Sequence, residues 1–147
     1  MGASTILEQR TVLVIDDDRN TQEDIFDDAF IEHGYNPVRA WNGSDGLEKA
    51  REVSPDLILL GALSQNTNSY NVCRTLSDDP ETKNIPIIMM TMNNDLSSTL
   101  SSYLAGAKRH IVKPFRIEDL FDELEKTLRQ IEISRDMYDD SIFDPRD

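Results

Sequence analysis

Cysteine, tryptophan and basic charge are what this sequence has least of: one Cys (Cys73), one Trp, and 15 Lys and Arg against 28 Asp and Glu in 147 residues. A lone thiol excludes an intrachain disulfide framework and fits a reducing compartment, so a cytoplasmic location is expected. The net charge of −13 argues against direct nucleic-acid binding, because phosphate contacts need a basic face. It disfavours anionic membranes as well, and leaves cations or a basic protein face as partners, or solubility as its only use. No stretch reaches the ~18 consecutive apolar residues of a membrane span. The start, MGASTILEQR, lacks the basic and apolar regions of a secretory signal. Gly2 and the small residues after it superficially resemble a myristoylation start, and a cloning remnant accounts for them at least as well. A Gly-rich phosphate loop of the Walker or dinucleotide type is also missing.

What is present is an alternation of short apolar runs with helical patterns. TVLVI (11–15) is β-rich and ends at Asp16; Ile25, Phe26, Ala29 and Phe30 then recur at helical spacing until Gly34. NPVRAW (36–41) reads as a second strand, with Pro37 favouring its beginning or a sheet edge. A turn at Asn42-Gly43 and Ser44 as N-cap open a short helix. DLILL (56–60) is a third strand, too apolar on both faces for an edge, and SYNVCRTL (69–76) is helical, with Cys73 as a small buried apolar residue. IPIIMMT (85–91) and KRHIV (108–112) are the fourth and fifth strands, separated by a helix closing at Gly106. A last helix after Pro114 places Ile117, Leu120, Phe121, Leu124, Leu128 and Ile131 on one face.

Five strands each followed by a helix imply an α/β fold with a doubly wound parallel sheet. Three segments are expected: an N-terminal extension over 1–10, one domain over 11–133, and an acidic tail or linker over 134–147. Ligands of such sheets gather at the carboxyl ends of the strands. Asp16 and Asp17 come straight off the first strand. Two close acids need a cation, a donor or a proton, and Mg²⁺ suits them; alternatively Asp16–Asp18 only cap the loop and the next helix. Thr91 ends the fourth strand with a hydroxyl, and Lys113, before Pro114, ends the fifth with an ammonium. The X–Pro bond there tolerates the cis form. At the end of the third strand stands Gly61, with no side chain.

VLVIDDD, PDLILL, NIPIIMMT and AGAKRHIVKPF resemble the receiver domain of two-component response regulators, the CheY-like family, over roughly residues 11–131. The separations agree: 44 residues from Asp17 to Gly61, 30 from Gly61 to Thr91 and 22 from Thr91 to Lys113. The resemblance implies a flavodoxin-like sheet of five parallel strands in the order 2-1-3-4-5. It implies Mg²⁺ on Asp16 and Asp17, phosphoryl contacts from Thr91 and Lys113, and a switch position at His110. It also implies protein partners: a signalling kinase, an output, motility or regulatory protein, or a second copy in a homodimer. They would meet the face of the fourth helix, fifth strand and fifth helix.

The resemblance fails where the phosphoacceptor aspartate belongs. That position is Gly61, and glycine has no oxygen to accept a phosphoryl group. The loop reads GALSQNTNS, without the family's Pro and Asp-Gly turn, and the usually small residue after the threonine is Met92. Three readings follow. The domain is a pseudo-receiver acting by protein binding; or it is a phosphorylatable receiver that lost its aspartate by mutation; or another residue, such as Ser64 or Asp17, accepts phosphate. An enzyme is not expected, the alternative being a small phosphohydrolase or flavin protein on the same fold. The cofactor expectation is none, or Mg²⁺ held weakly. Without an acceptor carboxylate, Lys113 is expected to bond Asp16 or Asp17 directly. His110 is either a solvent-facing polar residue or a side chain whose protonation near ~6.5 alters the binding face.

Overall fold

The computed structural model describes residues 9–17, 23–61, 68–92 and 95–139, the side chains of 23–25 and 135–139 excepted. Strands β1 (Arg10–Ile15), β2 (Tyr35–Ala40), β3 (Leu57–Leu60), β4 (Ile87–Thr91) and β5 (Arg109–Val112) alternate with five helices. These are α1 (Glu23–Glu32), α2 (Gly43–Val53), α3 (Ser69–Asp78), α4 (Leu96–Leu104) and α5 (Ile117–Asp139). The strands form one sheet in the order β2-β1-β3-β4-β5, every pair parallel.

Side-chain alternation along the strands divides the core in two. Leu13, Ile15, Ile58, Leu60, Ile87 and Met89 face α2, α3 and α4, meeting Ala50, Val72, Cys73, Leu76 and Ala105. Val12, Val14, Leu57, Leu59, Ile88 and Met90 face α1 and α5, meeting Phe30, Leu120, Phe121, Leu124 and Leu128. All four residues of β3 are completely buried, as its unbroken apolar run predicts for a strand between two neighbours. β2, with Pro37, is an edge. Cys73 is fully buried in the first of these layers.

Gly34 and Gly106 follow α1 and α4 at φ +86° and +114°, the left-handed conformation that lets a chain leave a helix. Two boundaries differ from the expectation. Asn42, not Ser44, caps α2: its side chain accepts from Asp45 N at 2.8 Å, and Gly43 is already helical. Asparagine caps as well as serine does, and here it stands three residues before the N–H it satisfies. The acidic segment after Ser134 continues α5 to Asp139, because no Gly or Pro interrupts the chain between Pro114 and Pro145.

Candidate functional site

The parallel register carries the ends of four strands to one edge of the sheet. Gly61 N donates to Ile15 O at 2.8 Å, and Lys113 N donates to Thr91 O at 2.7 Å. Asp16, Gly61, Thr91 and Lys113 therefore share the carboxyl edge where ligands of such sheets collect. Ser69 Oγ donates to Gly61 O at 2.8 Å, tying the end of β3 to the first turn of α3. The Lys113–Pro114 peptide is cis.

Within this cluster Asp16 and Lys113 are joined. Lys113 Nζ donates to Asp16 Oδ2 at 2.8 Å, the direct pairing expected of it, and the two side chains are only 18% and 9% exposed. A Cβ at residue 61 would stand 2.6 Å from Asp16 Cγ and 3.2 Å from its Cβ. The Asp16 carboxylate thus lies across Gly61, in the space where any side chain at that position would begin. Asp17 remains apart: its Oδ2 is buried and has no hydrogen-bond partner among the described residues. Thr91 is half-buried at the end of β4. Ser64 and Asp18 lie outside the described residues.

His110, on β5, is half-buried rather than solvent-facing. Its Nδ1 lies 3.4 Å from Thr99 Oγ1 of α4, and its Nε2 is buried without a hydrogen-bond partner among the described residues. Burial pushes its pKa below the usual 6.5 and so favours the neutral ring. Beside it α4 presents Leu96, Leu100 and Leu104 to solvent, at 72%, 50% and 80% exposure, along one helical face. Arg109 on β5 pairs with Glu123 on α5 at 3.4 Å. On the other side of the sheet, between α1 and α5, a cavity of about 550 Å³ adjoins Asp16 and Lys113. Arg39 lines it too; sequence reasoning passed over this residue, although a charge inside the strand pattern NPVRAW was a visible signal.

A family model described as "Response regulator receiver domain" matches residues 12–125. The chain belongs to this family, the receivers of two-component systems. It is 33% identical over 120 residues to the response regulator ArlR of Staphylococcus saprophyticus, covering 81% of this chain and 52% of that one. The DNA-binding response regulator MtrA of Mycolicibacterium smegmatis is 30% identical over 124 residues, covering 84% and 53%. The chain thus spans about half the length of these curated relatives. In structure, a CheY-like receiver domain protein from Methanospirillum hungatei superposes with a TM-score of 0.77 at 22% identity, covering 86% of this chain and 99% of that one. Strand order and helix placement are those of the CheY-like fold. No helix among the described residues is long and apolar enough to cross a membrane.

The family implies Mg²⁺ beside the acidic pair, and the donors here fit it poorly. Asp17 Oδ2 is an orphaned buried oxygen of the right chemistry. Asp16, however, spends Oδ2 on Lys113, and position 61 supplies no carboxylate. No group of three or more His, Cys, Asp or Glu side chains suited to a metal occurs among the described residues.

Proposed function

We propose that this receiver acts as a protein-binding signalling module without aspartyl phosphorylation. The observation that carries the reading is the Asp16 carboxylate lying over Gly61 and paired with Lys113. A phosphorylatable receiver needs a nucleophilic carboxylate at that strand end, open in line to a phosphodonor, with the lysine free to meet the incoming charge. Here the lysine is already neutralised, and a short internal ion pair stands where the acceptor and its phosphoryl group would be. The domain is thereby held in one state, with Mg²⁺ absent or weakly bound because the donor set falls short. Binding is assigned to the α4–β5–α5 face, supported by the exposed leucines of α4 beside charged β5 and α5. Its partners are proteins: a kinase, an output or regulatory protein, or a second copy. The DNA-binding described for MtrA belongs to that protein; the net charge of −13 supports no direct nucleic-acid contact by this one. The test is intact-mass spectrometry after incubation with acetyl phosphate and Mg²⁺. The mass is expected to stay unchanged, and a hydroxylamine-labile phosphoryl adduct on any aspartate would overturn the reading.

A further inference from the structure

Helix α4 is lightly anchored. Ser102 is its only buried residue, and its apolar side chains Leu96, Leu100, Tyr103 and Leu104 are all exposed. A helix that buries so little apolar surface opens locally at low cost. The sheet reaches its first turn through His110, whose Nδ1 lies 3.4 Å from Thr99 Oγ1. That contact fixes the tautomer. The Thr99 hydroxyl donates its hydrogen to Asp95 O at 3.1 Å, so toward the ring it accepts, and the imidazole carries its proton on Nδ1. Nε2 is then the bare nitrogen, buried with no hydrogen-bond partner among the described residues.

A second proton, placed on Nε2, would create a buried cation whose new N–H has no acceptor. The described residues packed around the ring offer it no compensation. From Leu96 to Leu104 α4 carries no charged side chain, and its first turn is the positive end of the helix dipole. Asp95 is exposed and already accepts from Ser98 N at 2.7 Å. Met89 stands opposite His110 on β4, and Val72, Cys73 and Leu76 of α3 complete an uncharged layer, the Cys73 thiol being pushed up to about 11 by burial. On and beside β5, Lys108 is exposed, Arg109 pairs with Glu123, and Lys113 pairs with Asp16. We propose that His110 ties α4 to the sheet as a neutral ring and releases it on protonation, so that mild acid loosens the leucine face. A ring set free by opening takes up its proton near the ordinary pKa of ~6.5, more readily than the packed ring, so opening grows as pH falls below that value. The consequence for partners rests on the assignment of binding to this face; the release of α4 does not.

The experiment measures amide hydrogen exchange of the whole chain at pH 7.5 and 5.5, as protection relative to the free-peptide rate at each pH, and follows the ring nitrogens of His110 by NMR. Protection in α4 is expected to fall by up to about tenfold between the two, as protonation of the freed ring dictates, and α3 is expected to change less. The neutral ring should show Nδ1–H. His110→Phe should remove the extra loss in α4, and His33→Asn, which alters the only other histidine, should leave it. Protection in α4 that falls no further than in α3 would overturn the proposal, as would an equal loss in His110→Phe or a neutral ring protonated on Nε2. The comparison of α4 with α3 in the unaltered chain needs no variant to fold. No phosphodonor enters these measurements, so their failure is distinct from a failure of the phosphorylation reading.

Discussion

Replacing Gly61 by alanine adds one methyl group, and that methyl tests how the strand-end site is built. The new Cβ would stand 2.6 Å from Asp16 Cγ, far inside contact distance, so the Asp16 carboxylate has to swing away. Doing so stretches or breaks its 2.8 Å bond to Lys113. Two unit charges at that separation attract by ~6 kcal/mol at an effective dielectric constant of about 20. Desolvation of two side chains only 18% and 9% exposed offsets much of this. Deleting one partner of a buried pair typically costs about 3–5 kcal/mol. Alanine displaces the partner rather than deleting it, so the expected loss is about 1–3 kcal/mol, lowering Tm by roughly 3–12 °C. The backbone at Gly61 is not in the left-handed region, so alanine itself is tolerated there. In an Asp16→Ala background the clash with the carboxylate is gone and only the tight 3.2 Å approach to the Cβ of residue 16 remains, so Gly61→Ala should cost no more than about 0.5 kcal/mol, offset in part by the stiffer unfolded chain. Urea unfolding of the four proteins in this cycle measures the coupling, expected to be at least ~1 kcal/mol. An equal effect of Gly61→Ala in both backgrounds would refute the account of Asp16.

Two further outcomes follow from buried groups. Burial lowers the pKa of His110 in the fold, so the unfolded chain binds the proton more readily. The stability contributed by the neutral ring is present above ~6.5 and is lost as pH falls below it toward the depressed folded value. Urea midpoints at pH 7.5 and 5.5 should therefore fall further for the unaltered chain than for His110→Phe, and parallel profiles would contradict the assignment. Burial also pushes the Cys73 thiol up to about 11, so iodoacetamide at neutral pH should label it only as fast as the chain unfolds. Labelling at the rate of a free peptide thiol would show that α3 does not bury it.

The sheet was legible because its signals were local and mutually consistent. Each strand is an apolar run, β3 is apolar on both faces, and the glycines after α1 and α4 sit where the chain needs left-handed turns. The strand-end residues were legible too, because parallel strands deliver Asp16, Gly61, Thr91 and Lys113 to one edge whatever their distance in sequence. What the pattern could not supply was conformation. That Asp16 rather than Asp17 takes Lys113, and that it does so by lying over Gly61, depends on rotamers settled by packing. Arg39 escaped notice for a similar reason. Its unmatched Nη2 and the neighbouring cavity arise from three elements meeting, β2, α1 and the start of α5. The continuation of α5 past Ser134 was not legible because the amphipathic period fades before the helix does.

The central claim is that the place of the acceptor and its phosphoryl group is already filled by the Asp16–Lys113 pair. The most direct measurement is a set of amide NMR spectra recorded in the presence of Mg²⁺ before and after adding beryllofluoride, which with an acceptor aspartate forms an analogue of the acyl phosphate. The account predicts unchanged resonances for Gly61, Thr91 and Lys113. Saturable shifts at these three residues would contradict it.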